Sequence, residues 1–149
     1  MTSAERNAAT IRRALEAINA RQLEDLAELV APGFVRHDYG GTFIERRGPE
    51  GMAEMARLLL GALPDLKVRV HDVFATHDRA VVYASLAGTH RGEFLGAPPS
   101  GEGVCLDTVD LYRLEGDKIA EVWPWPDLAG LRRWMDWPAG CEPTGGEDQ

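Results

Sequence analysis

The sequence predicts an α+β fold, on three observations. Apolar residues recur at helical spacing from Ile11 to Leu63 and at alternating, strand-like spacing from Leu66 onward. Helices therefore come first and strands last, instead of taking turns along the chain. No internal repeat or linker divides the 149 residues, of which 44% are apolar, so they suit one domain with a real core. That domain is expected to span residues 1–138. Residues 139–149, rich in Gly, Pro and acidic side chains, are expected to form a flexible tail.

Ile11, Leu15 and Ile18 define a first helix from about Ser3 to Asn19, and Thr2 with Glu5 has the form of a capping box at its start. Leu23, Leu26 and Val30 continue the pattern in a second, shorter helix that Pro32 should end. Phe34 to Tyr39 reads as a short extended piece, broken by Gly40-Gly41. Gly48-Pro49-Glu50 opens a third helix, with Pro49 near its first turn and an apolar stripe through Met52, Met55, Ala56, Leu59, Leu60 and Leu63. Pro64-Asp65 stops it. Leu66 to Val70 and Ala80 to Ala87 then read as strands, and Gly96 to Gly103 as a loop. Val104 to Leu114 and Ile119 to Trp125 form a hairpin about Glu115-Gly116-Asp117-Lys118. Two prolines in Trp123-Pro124-Trp125-Pro126 cannot donate ladder bonds, so the last strand should end or bulge there. Asp127 is placed to cap a final short helix carrying Leu128, Leu131 and Trp134.

Composition removes several function classes. The formal net charge is −8, with Lys and Arg scattered instead of striped, so no basic face is offered to nucleic acid. No run of about 18 apolar residues is present, and no membrane association is expected. The first residues lack the basic-then-apolar form of a signal peptide. Cys105 and Cys141, the only cysteines, lie in a strand and in the tail, which suggests isolated thiols and a cytoplasmic location. Metal-ligand spacing is missing, so no metal is expected; no Gly-rich loop follows a strand, so nucleotide binding is unsupported; and Gly-x-Ser-x-Gly is absent, so no hydrolase elbow is indicated.

One stretch, Gly88-Thr89-His90-Arg91-Gly92 running to Pro98-Pro99, lies between two strand-like runs. Together with Ala31-Pro32-Gly33-Phe34-Val35, Gly48-Pro49-Glu50-Gly51, Leu63-Pro64-Asp65, Glu115-Gly116-Asp117-Lys118-Ile119 and Trp125-Pro126-Asp127, it resembles the SnoaL-like polyketide cyclases of the NTF2-like superfamily. The resemblance runs from about Arg12 to Arg133. It implies a cone-shaped α+β barrel in which a curved antiparallel sheet wraps around N-terminal helices and encloses an apolar pocket. It also implies pairing of two copies through the convex face of the sheet. The family's cyclases close a ring by an intramolecular aldol reaction without metal or cofactor. They carry an acid–base Asp on the last strand at the position of Pro124 here, and tend to carry His at that of Val122. A Gln-x-His on the preceding strand corresponds to Thr108-Val109-Asp110.

Asp110 is the first catalytic candidate. Alternation puts Thr108, Asp110 and Tyr112 on one face of a strand and Val109 and Leu111 on the other, and the pattern alone leaves open which face is inside. The resemblance turns the Thr108/Asp110 face toward the pocket, where apolar surroundings would raise the carboxyl's pKa toward that of a neutral-pH base. His37, after the second helix, is the second candidate, since imidazole moves protons near neutral pH. Arg36 could stabilise a developing anion, and Asp38 and Tyr39 compete for the same space. Alternation admits Arg36 with Asp38, or His37 with Tyr39. Arg36, Tyr39, Leu59, Leu63, Thr108 and Trp125 are the expected substrate contacts, with aromatic rings near the last-strand prolines forming a wall for a large apolar ligand. Asp107 and Glu121 fall out of phase with the catalytic face, and His90 and Arg91 read as turn-forming.

These readings point to a cofactor-independent acid–base enzyme of natural-product biosynthesis that performs ring closure or a related rearrangement on an apolar carbonyl substrate, as a homodimer. The alternatives are a relative with altered chemistry (hydroxylation partner, isomerase or hydrolase) and a non-catalytic small-molecule binder.

Overall fold

A computed structural model of the chain describes residues 1–37, 45–94 and 96–127. Two α-helices, α1 (Ser3–Asn19) and α2 (Gly51–Ala62), pack with a 3-10 turn (Leu23–Glu28) against one curved six-stranded sheet. Its strands are β1 (Val30–Arg36), β2 (Arg46–Arg47), β3 (Lys67–Ala75), β4 (Arg79–Thr89), β5 (Gly103–Glu115) and β6 (Lys118–Pro126), in the order β2-β1-β6-β5-β4-β3. The fold is the mixed α+β one expected. The sheet is not wholly antiparallel, however, because β1 joins β6 in parallel. No helix among the described residues is long and apolar enough to cross a membrane.

Local chemistry accounts for most of the boundaries. At the start of α1 the Thr2 hydroxyl accepts the Glu5 amide and the Glu5 carboxylate accepts the Thr2 amide, completing the expected capping box. At its end Asn19 imitates a strand neighbour. Its side chain donates to the Val68 carbonyl (2.8 Å) and accepts the Val68 amide (2.7 Å), fastening α1 to β3. The β5–β6 hairpin turns on Gly116 and Asp117, whose φ values of 55° and 68° match the two left-handed positions of a type I′ turn. Inside, Ile11, Leu26, Phe34, Leu66 and Ile119 are at most 1% exposed, and each such side chain contributes roughly 1.5–3 kcal/mol by leaving water.

Some boundaries differ from expectation. The second helix is shorter and tighter than its periodicity suggested, and Val30 belongs to β1. Pro32 interrupts no helix: it sits inside β1 where the β1–β6 register shifts between Val30 and Val35, a bulge at which no ladder donor is needed. Pro49 precedes α2 in a turn instead of occupying its first helical position. Nor does β6 stop at its prolines. Pro124 and Pro126 stay in register with Asp110 and Thr108. Among the described residues the β1 ladder on the other side of β6 runs no further than Arg36↔Val122, so neither proline faces a described β1 partner. Cys105 is disulfide-bonded, contrary to the isolated thiol expected. The compartment inferred from free thiols therefore loses its support. The other cysteine, Cys141, lies outside the described residues, as do the expected last helix and the 139–149 tail.

The Gly-Thr-His stretch clamps the sheet to the end of α2. Asp65 accepts both the amide (2.6 Å) and the hydroxyl (2.7 Å) of Thr89, while the amides of Arg91 and Gly92 share the Ala62 carbonyl. His90, fully buried, contacts Ser100 through Nδ1 at 2.9 Å and closes the loop, in keeping with its turn-forming reading. A Cβ on Gly92 would lie 2.1 Å from the Gly61 carbonyl oxygen. Gly92→Ala should therefore cost about 1–3 kcal/mol in urea unfolding. Gly33→Ala, where no atom lies within 4 Å of the added methyl, should stay within about 0.5 kcal/mol.

Candidate active site

The helices and the inner face of the sheet line a cavity that opens to solvent. Its walls are mostly hydrocarbon. Leu15 and Ile18 come from α1, Met55 and Leu59 from α2, and Val82, Leu106 and Val122 from the sheet. The polar side chains on its lining are Arg36, Thr108, Asp110 and Tyr112. The pleat of β5 brings three of these to one face, and the end of β1 contributes Arg36, whose strand partner is Val122.

Among the described residues Asp110 is the carboxyl on this lining. Burial pushes its pKa above the usual 3.8, against the opposing pull of a hydrogen bond from Thr108, the Arg36 charge and a backbone hydrogen bond from Trp125. The Thr108 hydroxyl donates to Asp110 Oδ1 at 2.6 Å, which fixes the carboxylate and leaves Oδ2 free of that bond. Tyr112 is held above the ordinary tyrosine range by burial, with the negative charge of Asp110 adding to the effect. The site therefore sets a carboxyl of raised proton affinity two residues from a phenol that stays protonated. Among the described residues no group of three His, Cys, Asp or Glu side chains is placed to hold a metal ion.

Four of the expected residues, Asp110, Arg36, Thr108 and Leu59, meet on this lining. Three others lie elsewhere. His37 is off the lining, because Arg36 has taken the inward position and its neighbour on a pleated strand must turn outward. There its imidazole stacks on Trp123, with centroids 4.9 Å apart, and bonds Glu121 at 2.8 Å. That bond, with one from Arg113, holds the Glu121 carboxyl below its usual range. Leu63 is in the core beneath Gly88 and does not reach the cavity. Trp125, 56% exposed, is on the outer face, and the expected aromatic wall is instead built by Pro124 and Pro126. Tyr39 and Asp38 fall outside the described residues. Asp107 is on the outer face too, where it accepts the Ser85 hydroxyl at 2.6 Å, and Ser85 in turn meets His71 Nε2 at 2.6 Å. Tyr112 was not among the expected contacts, although the alternation that singles out Asp110 includes it.

Three comparisons bear on this site. The sequence model of the SnoaL-like polyketide cyclase family matches residues 8–134. The aklanonic acid methyl ester cyclase DauD of Streptomyces sp. (strain C5) is 29% identical over 137 residues, covering 86% of this chain and 81% of that protein. Among solved structures, one from Jannaschia sp. CCS1 described as a SnoaL-like polyketide cyclase superposes with a TM-score of 0.79 at 26% identity, covering 93% of this chain and 96% of the other. IdmH from Streptomyces antibioticus, described as a polyketide cyclase, gives 0.74 at 28% identity, covering 87% and 97%.

The Asp110 environment is open to direct measurement. Carbon-13 NMR of the Asp110 carboxyl should show a midpoint above 3.8, and Thr108→Val, which removes a bond that favours the ionised form, should move it higher still. The folded carboxyl holds its proton to higher pH than the unfolded one. This group's contribution to stability therefore falls as pH rises from the unfolded toward the folded midpoint. A midpoint at or below 3.8 would remove the premise.

Proposed function

The chain belongs to the SnoaL-like polyketide cyclase family, and on that premise we propose that it is an enzyme that closes a ring, or carries out a related rearrangement, on an apolar carbonyl-bearing intermediate of polyketide type. The observation that carries this reading is the Asp110 carboxyl in a hydrocarbon cavity, beside the Arg36 charge.

The chemistry follows from that pair. Asp110 takes a proton from a carbon next to a substrate carbonyl. The C–H electron pair becomes a C=C bond, and the carbonyl π pair moves onto oxygen. Arg36 stabilises the resulting enolate by charge, an interaction strengthened where water is excluded. The enolate carbon then attacks a second carbonyl of the same molecule, forming the new C–C bond. The second oxygen, now an alkoxide, recovers the proton from Asp110. The carboxyl ends as it began, and the cycle needs no cofactor. A carboxylate whose pKa is raised toward working pH suits both the removal and the return of the proton.

Pro124 favours a second outcome of the same deprotonation. It lines the cavity at the place where the family resemblance puts an acid–base Asp, so base chemistry rests on β5 instead of β6. An enolate formed there without a second carbonyl in reach would be reprotonated elsewhere, giving isomerisation.

Aklanonic acid methyl ester, the compound named for the DauD relative, is a first substrate to test. With it, or with any carbonyl substrate that is turned over, Asp110→Asn should lower kcat by roughly 10²–10⁴-fold while substrate affinity changes little. Near-normal turnover by that variant would remove Asp110 from the mechanism.

A homodimer is the proposed assembly. On the outer face Tyr83, Val109 and Trp125 are aligned across β4, β5 and β6, and all are more than 40% exposed. A row of this kind fits a second copy of the same face. Sedimentation should give a dimer that Val109→Asp converts to a folded monomer. A wild-type monomer would end this part of the reading.

A further inference from the structure

Tyr112 carries a hydroxyl that the fold does not use. The residue is 5% exposed and lines the cavity, yet its phenol makes no hydrogen bond to any described residue. The Tyr112 oxygen is not one of the buried polar atoms left unpartnered, so it opens onto the cavity, where a ligand can meet it. Thr108, the other hydroxyl on this wall, is already committed to Asp110. Tyr112 lies two residues along β5 from Asp110 on the same face, about 7 Å away by strand geometry.

We propose that Tyr112 is a further catalytic residue, the hydrogen-bond donor that seats a carbonyl oxygen of the substrate while Asp110 works one pleat away. The proposal rests on the function given above and deepens it. Ring closure involves two carbonyl oxygens that gain negative charge in turn, and Tyr112 attends the one that Arg36 does not. The donor must remain protonated while its neighbour is ionised. Burial and the Asp110 charge both hold the phenol in that state. The cavity would thus select flat, largely apolar ligands with a carbonyl at the Tyr112 end, over matched hydrocarbons.

The test uses the full-length protein with a matched probe pair, 9-fluorenone and fluorene, which differ only in the carbonyl. In the wild type, fluorenone should bind more tightly than fluorene, and a carbon-13-labelled carbonyl should show its infrared stretch moved to lower wavenumber by a hydrogen bond. Tyr112→Phe should weaken fluorenone by about 3–10-fold, leave fluorene unchanged and return the stretch toward its value in an apolar solvent. Equal loss of both ligands, a stretch that does not respond to Tyr112→Phe, or no saturable fluorenone binding by the wild type would each overturn the assignment. Asp110→Asn separates this proposal from the function it rests on. A shifted carbonyl in a protein whose turnover survives Asp110→Asn would leave the donor standing and remove the base.

Discussion

A pleated strand has two faces, and the phase of β5 decides which polar side chains enter the cavity. Thr108, Asp110 and Tyr112 look into the hollow under the helices. Asp107, Val109 and Leu111 look away from it. A slip of one residue would put Asp107 and Val109 inside and leave Asp110 in water. The phase is held by an unbroken antiparallel ladder to β4 from Arg79↔Arg113 to Thr89↔Gly103, and by the Gly116-Asp117 turn to β6. The β1–β6 pairing adds the second charge to the same space, because Arg36 lies beside Val122 at the end of its strand.

The helices meet this sheet through contacts that leave little play. The Asn19 amide joins α1 to β3, and Asp65 with the Ala62 carbonyl joins the end of α2 to the segment after β4. These are polar contacts at the rim of an otherwise hydrocarbon chamber.

Much of this was legible in the sequence where a period was long and unbroken. The α1 and α2 stripes and the β4 and β5 alternation gave elements close to those observed, and Thr2 with Glu5 marked a true helix start. Single residues misled where tertiary pairing overrode local meaning. Pro32 and Pro124 read as stops, but Pro32 sits at a bulge of the β1–β6 pairing and Pro124 keeps its register with Asp110. Arg36 and His37 were both plausible cavity residues, and only the direction of β1 against β6 chose between them. Tyr112 shares the face of Asp110, yet a tyrosine on an apolar strand reads as core until the structure shows its hydroxyl on the cavity without a described partner.

Pro124 and Pro126 give the chamber a stretch of unusually stiff wall. Proline rings fix φ and carry no N–H, so this border is stiff, and the donor between them, the Trp125 amide, is given to Asp110. A guest arriving there immobilises little that was previously moving, and less of its contact energy is lost to ordering the host. It also finds no hydrogen bond to hold it, so its register along that border is left to the polar groups at Arg36, Asp110 and Tyr112. The chamber can therefore be tolerant of outline yet strict about where oxygen atoms fall.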